Sequence, residues 1–316
     1  MELLCIGLGI VAFIAAAVPV IAYVCFRIAF YVPEGSNAPT EEYPVPPGKI
    51  YAPYREKMVA LMKETRATGC EEMSITSFDG LTLWGKYYEY APGATVEIMF
   101  HGYRGSAERD LCGGVQRCFA LGHSALIVNQ RCSGRSEGDV ITFGINESRD
   151  CLNWVTHTIN RFGPEVKIIL TGISMGASTV MIAAGEDLPE NVIGVLADCG
   201  YTSAKDIIKK VIAQRKLPAE LAYPFVKLGA KLYGHFDLES TSPIEAMKRC
   251  RVPVIFVHGE NDDYVPCYMS RRNYAACTAR KKLITVPEAG HGLSYMLEPQ
   301  EYRSALKEFF GEKAHC

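Results

Sequence analysis

The chain has 316 residues, enough for one large α/β domain with an appendage and too many for the smallest folds. Hydrophobic residues make up 48% and charged residues 22%, the balance of an ordinary globular protein. The net charge is −2, and no stripe of Lys and Arg with interleaved aromatics occurs, so nucleic acid is not expected as a partner.

The first element is apolar. Leu3 to Phe26 holds no charged residue over 24 positions, long enough as a helix to span a bilayer core. Pro19 lies inside it, which a membrane helix tolerates. A cleaved signal peptide fits less well, because Met1-Glu2 supplies no basic n-region and the run exceeds an ordinary h-region. A buried core helix is the remaining alternative. Arg27, Lys49, Arg55 and Lys57 follow the run, so the positive-inside rule puts the main domain in the cytoplasm. The expectation is a single-pass membrane protein with a transmembrane anchor over residues 1–32. The twelve cysteines are scattered, without paired spacing, and read as reduced thiols. No C-x-x-C occurs, so no metal is expected.

Residues 33–70 read as a linker and a juxtamembrane helix. Pro33 to Gly48 (PEGSNAPTEEYPVPPG) is rich in Pro and Glu, as in a semi-rigid spacer. Tyr54 to Thr68 has helical periodicity, with Gly69 as its stop.

The domain proper is expected over 71–316. Ser74–Phe78 and Leu81–Tyr88 alternate around Asp79-Gly80, a hairpin signal. Apolar runs then alternate with helical stretches. Strands are expected at Val96–Phe100, Ala125–Val128, Val166–Thr171, Val192–Ala197, Val252–His258 and Leu283–Val286. Helices are expected up to Leu121, over Ser148–Arg161 and Met175–Gly185, after Pro266, and over Pro299–Phe310. That pattern predicts a mostly parallel eight-stranded sheet with helices on both faces.

One connection is too long for a simple crossover. About fifty residues separate Asp198 from Val252, with helical patterns at Lys205–Gln214 and Tyr223–Tyr233. A cap insertion at about 201–242 follows. Its apolar residues (Leu221, Tyr223, Phe225, Val226, Leu228, Leu232, Tyr233, Phe236) suit a hydrophobic acyl substrate or plain packing of cap on body.

Two G-x-S-x-G stretches compete for the chemistry. A nucleophilic serine needs a strand, an abrupt turn and a helix, so that its Oγ stands free and the new helix's N–H groups face a developing oxyanion. KIILTGISMGASTVMIAAG around Ser174 supplies all three. NQRCSGRSEG around Ser136 has no helical pattern behind it and reads as a charged loop. A serine hydroxyl also needs a base and an orienting carboxylate, which follow it in the order acid, then histidine. His291 lies in PEAGHG directly after the last strand and is the candidate base. His258 ends a strand and reads as structural, His235 lies in the cap, and His315 is in the tail. The acid belongs after the preceding strand, in HGENDDYVP, where the pattern leaves Asp262 and Asp263 open. Two oxyanion donors are expected. One is the Met175 N–H. The other is the Tyr103 N–H, in HGYRG, where Gly102 permits close approach. His101 precedes Ser174 and is expected to hold that loop.

Together, HGYRG, GISMG, HGENDDYVP and AGHG resemble the α/β-hydrolase superfamily across residues 71–316. They are most similar to hydrolases of the Bem46 group and the serine aminopeptidase-like family. The resemblance selects Asp262 as the acid beside Ser174 and His291. It implies the α/β-hydrolase fold with a helical cap, preceded here by the transmembrane helix, and no cofactor. Such hydrolases often carry D-x-R-x-x-G-x-S after the fourth strand. Here Asn129 stands in place of the Asp, which implies that an Asp–Arg contact becomes a neutral hydrogen bond. The expected activity is hydrolysis of an ester, thioester or amide of a small or lipid-like acyl substrate. Alternatives are a peptidase, with Glu220, Asp237 or Glu239 holding an α-ammonium, an acyltransferase using the same triad, and a tethered scaffold on an inactive fold.

Overall fold

The computed structural model describes residues 2–33 and 41–311, with the side chains of 2–15 left undescribed. Helix α1 (Glu2–Ala29) and helix α2 (Arg55–Ala67) precede the sheet. Strands β1 (Glu71–Thr76) and β2 (Thr82–Tyr88) pair antiparallel around Asp79-Gly80. Ser77 fastens that turn, with its Oγ donating to Asp79 Oδ1 at 2.6 Å and accepting from Leu81 N at 2.8 Å.

The alternating part follows. Strand β3 (Val96–Phe100) leads through α3 (Ala107–Asp110) and α4 (Gly114–Ala120) to β4 (Ser124–Val128). Helix α5 (Ile145–Phe162), strand β5 (Ile168–Ile173), helix α6 (Met175–Ala183) and strand β6 (Val192–Asp198) come next. The cap helices are α7 (Ala204–Gln214) and α8 (Ala219–Tyr233). Helix α8 starts four residues before the apolar pattern suggested, because Pro218 and the first-turn Glu220 begin a helix well. Then come α9 (Pro243–Met247), β7 (Val254–Gly259), α10 (Tyr268–Ala276), β8 (Lys281–Val286), α11 (Ser294–Leu297) and α12 (Pro299–Gly311).

The sheet has eight strands in the order β1-β2-β4-β3-β5-β6-β7-β8. From β4 to β8 all neighbours are parallel, while β2 joins them antiparallel. Strands β3, β4 and β7 are buried at every residue, the consequence of helices on both faces. Trp154, Phe100, Leu126, Leu170 and Phe256 fill the core. The carboxyl ends of β3, β5, β7 and β8 converge on one rim, where loops can carry chemistry.

The expected anchor is corrected in part. Among the described residues, no helix is long and apolar enough to cross a membrane. The first half of the run lies outside the described side chains. Its second half belongs to the domain: Ala22 and Phe26 are buried, and α1 packs against α8. Gly229 permits the contact, since a Cβ there would lie 2.4 Å from the Ala22 carbonyl oxygen. The apolar character of residues 22–30 therefore reflects packing on the cap as well as the run before it.

Candidate active site

Ser174 stands between β5 and α6 with φ +57 and ψ −116, a strained backbone that side chains rarely adopt. The flanking glycines have a steric reason. A Cβ at Gly172 would meet Gly176 O at 2.1 Å, and one at Gly176 would meet Phe100 O at 2.0 Å. Strand, helix and the end of β3 thus touch backbone to backbone, and the turn is forced tight. Ser174 N donates to Asp198 O at 2.8 Å, which fixes the turn to the end of β6.

His291 follows β8, and its Nε2 lies 2.9 Å from Ser174 Oγ. Its Nδ1 lies 2.6 Å from Asp262 Oδ2. The donor order is then fixed by chemistry: the imidazole Nδ1–H donates to the carboxylate, and the serine hydroxyl donates to Nε2. Asp262 sits after β7, where its Oδ1 accepts from Tyr264 N at 2.9 Å and Val265 N at 2.8 Å. Those bonds leave Oδ2 for the histidine. Burial alone raises the Asp262 carboxyl, but hydrogen bonds from His258 and His291 outweigh it and hold the group at about 2. Asp263 is exposed and meets the cap only through its carbonyl, which accepts from Gln214 at 2.8 Å.

The other histidines have different surroundings. His258 is fully buried between Ser270 Oγ at 2.6 Å and Val265 O at 2.7 Å, behind Asp262. His235 is exposed in the loop after α8, and His315 lies outside the described residues. His101 accepts from Gln130 N at 3.0 Å, so its other nitrogen donates to Gly102 O at 2.8 Å. Its ring pins the loop after β3. Gly102 N donates to Asp110 Oδ2 at 3.0 Å, fixing the next position of that loop. Tyr103 follows, opposite Met175 at the start of α6; both border the neighbourhood of Ser174.

The second G-x-S-x-G is a support. Ser136 Oγ donates to Asn129 O at 2.7 Å and accepts from Trp84 N at 2.8 Å, joining its loop to β2. Asn129 does not meet Arg131, against expectation. Its Oδ1 accepts from Ala107 N at 3.1 Å. Arg131 instead holds Asp150 through two bonds of 2.7 and 2.8 Å, and Asp79 at 3.0 Å. Acidic partners from α5 and the hairpin turn supply the charge that position 129 lacks.

Two cavities flank Ser174. One, of about 270 Å³, lies under the cap and is walled by apolar side chains including Phe143, Ile207, Val211 and Val226. The other, of about 650 Å³, is wider and mostly apolar too, but it also carries the charged side chains Lys49, Arg104, Arg109, Asp110 and Asp263 on its walls. Of the eight apolar cap residues singled out from the sequence, Val226 borders the apolar cavity, while Tyr223, Tyr233 and Phe236 pack in one cluster with Phe26 of α1 and with Phe30 just after it. Helix α7 adds Ile207, Ile208, Val211 and Ile212 to the wall.

Three features had no sequence signal. Tyr51 reaches His291 from the segment before α2. Cys25, Ile28 and Ala29 of α1 border the apolar cavity. Cys199, φ +47 and fully buried, places its sulfur with Asp262 and His291 so that their ligand atoms lie within 4.8 Å of one another. Two of those three groups are already joined by the 2.6 Å bond, and burial pushes the Cys199 thiol well up, so the set offers a poor thiolate for a metal.

The sequence profile of the alpha/beta hydrolase family matches residues 98–305. An uncharacterised Bacillus subtilis protein, YqkD, is 27% identical over 245 residues, covering 76% of this chain and 80% of that protein. The Schizosaccharomyces pombe protein bem46 is 25% identical over 199 residues, covering 61% of this chain and 60% of its own length. Among solved structures, the Pyrococcus furiosus esterase Pf2001 superposes with a TM-score of 0.63 at 21% identity, over 78% of this chain and 92% of that one.

Proposed function

Because this chain belongs to the alpha/beta hydrolase family, we propose that it is a serine hydrolase that cleaves an ester of a hydrophobic acyl group through an acyl-enzyme. The observation that carries this is the relay of 2.9 and 2.6 Å from Ser174 through His291 to Asp262, on a strained strand–turn–helix. His291 takes the Ser174 proton as Oγ attacks the carbonyl carbon. Asp262, ionised at any ordinary pH, stabilises the imidazolium. The N–H groups of Tyr103 and Met175 hold the oxyanion. The imidazolium returns its proton to the departing alcohol, and a water activated by the same histidine then releases the acid and frees Ser174.

The apolar cavity under the cap takes the acyl group, and the wide cavity with charged side chains on its walls takes the leaving group. A peptidase finds less support: Glu220 pairs with Lys209 at 2.6 Å and Glu239 with Lys227 at 2.7 Å, and neither of these nor Asp237 borders the two cavities. Transfer to an alcohol other than water needs the same residues and is an outcome that product analysis reads. A fluorophosphonate probe tests the whole reading. It should label the protein at Ser174, and Ser174→Ala should abolish the label; labelling that persists in the variant sinks the assignment. We also infer that the charge-free run before Ala22 attaches the protein to a membrane. Extraction of the full chain by alkaline carbonate would overturn that.

A further inference from the structure

Helix α1 presents two faces to the domain. Ala22 and Phe26, continued by Phe30 just past its end, form one, at i, i+4 and i+8, and it is buried. Phe30 stacks edge-on against Phe143 at 5.7 Å and Phe236 at 5.3 Å, so the helix is seated by the cap and by the loop before α5. Cys25, Ile28 and Ala29 form the other face, at i, i+3 and i+4, and all three border the apolar cavity that reaches Ser174. Across that cavity stand Ile207, Ile208, Val211 and Ile212 of α7. Ile28 is 61% exposed and Leu217, beyond α7, is 54% exposed, so these two stand at the mouth.

The end of α1 is also fastened to the loop that carries the expected oxyanion donor. The last carbonyls of a helix lack intrahelical partners and carry partial negative charge. Here Tyr103 Oη donates to Ala29 O at 2.9 Å. Arg104 donates to Ile28 O at 3.1 Å and to Tyr31 O at 2.8 Å, from a backbone at φ +50. The cavity wall is therefore held in fixed register with the loop after β3, and Ile28 cannot swing away without breaking two bonds to Arg104 and Tyr103. Below it, Tyr233 Oη donates to Pro19 O at 3.1 Å, which ties α1 to the cap as well.

We propose that α1 is a wall of the acyl pocket and that Ile28 sets the length of acyl chain the enzyme accepts. This rests on the reading of Ser174 as the acylated nucleophile. At roughly 30 Å³ for a group the size of a water or a methylene, a cavity of about 270 Å³ holds on the order of nine carbons. The substrate class is thus an ester of a medium-length acyl chain, the chain lying between α1 and α7. A segment whose composition suggests only an anchor then serves as a substrate-length gauge.

The test uses the full-length protein in one detergent and a series of p-nitrophenyl esters from acetate to laurate. The quantity read is the ratio of kcat/KM for decanoate to that for acetate. Ile28→Trp should lower it by about tenfold or more, since each methylene excluded from a hydrophobic pocket is worth roughly tenfold or more. Ile28→Ala should move the optimum to longer chains. Val24→Trp, one turn before Ile28, exposed and outside the cavity lining, should leave the ratio as it is. Val211→Trp, on the opposite wall, should lower it. Circular dichroism and a cooperative melt establish folding of each variant. A ratio that stays put in folded Ile28→Trp while Val211→Trp lowers it overturns the role of α1 and leaves the acyl pocket standing. No change in either variant removes the acyl pocket and this proposal with it. Absence of fluorophosphonate labelling in the unmutated protein removes the catalytic reading beneath both.

Discussion

The Tyr51 hydroxyl donates to the backbone carbonyl of His291 at 3.0 Å, joining the segment before α2 to the loop that carries the candidate base. Burial pushes this phenol up, so it stays protonated and remains a donor throughout the working pH range. Tyr51 also lines the wide cavity beside Ser174. The bond fixes the main chain of the residue whose ring must face both Ser174 and Asp262. The segment therefore supports the site as well as bordering it.

Tyr51→Phe keeps the ring and removes the bond. A lost hydrogen bond of this kind costs about 1 kcal/mol, and the same loss of positioning is worth about fivefold in rate. The variant should show kcat/KM for a short ester reduced by about that factor, with fluorophosphonate labelling slowed in proportion. Steady-state kinetics and labelling rates check this together. Unmodified kinetics in the variant would mean that the His291 loop needs no such tie.

Ser136 gives the second prediction. Its Oγ joins two backbone groups, Asn129 O and Trp84 N, at the junction of the β4 loop with β2. Ser136→Ala leaves a half-buried N–H and a carbonyl without that partner, a cost of about 1 kcal/mol. Urea denaturation should show that loss, while the probe still labels Ser174. Complete loss of labelling in a folded Ser136→Ala protein would make Ser136 part of the chemistry after all.

These two residues show what a sequence can carry. Ser174 and Ser136 share a five-residue pattern, and only the flanking strand and helix separate them. Those are local properties, so periodicity exposed them. The hairpin at Asp79-Gly80 and the strands β3 to β8 were legible for the same reason. Tyr51 and Ile28 were not, because their partners lie 240 and 76 residues away (His291 and Arg104) and nothing in a Pro-rich spacer or an apolar run encodes where it docks. The apolar run was ambiguous in a specific way. A bilayer and a cap helix ask for the same side chains at residues 22–30, and the small residues at Ala22 and Gly229 that let the helices touch carry no signal until they are opposed. The charge missing at Asn129 misled likewise, since Arg131 draws its partners from Asp79 and Asp150, far along the chain.

The third prediction concerns a charge cluster under the site. Glu97 sits on β3 in the middle of the sheet, 2% exposed, and its carboxylate meets Arg117 at 2.5 Å, His123 at 2.8 Å and Thr171 Oγ1 at 3.0 Å. Burial raises this carboxyl, but Arg117 and then His123 outweigh it and hold it at about 2. Because the folded value lies below the unfolded one, the cluster stabilises the fold above the usual glutamate range and loses that contribution as pH falls through it toward 2. Glu97→Gln removes the titration and leaves Arg117 buried without its counter-charge, which costs about 3–5 kcal/mol. Urea unfolding at pH 7, 4 and 3 separates the two proteins. The unmodified protein should be more stable by about that amount at pH 7, and the gap should narrow as pH falls from 4 to 3. The gap is the quantity to read, since the other carboxylates titrate equally in both. A gap that stays constant from pH 7 to 3 would show that Glu97 carries no depressed titration in the fold.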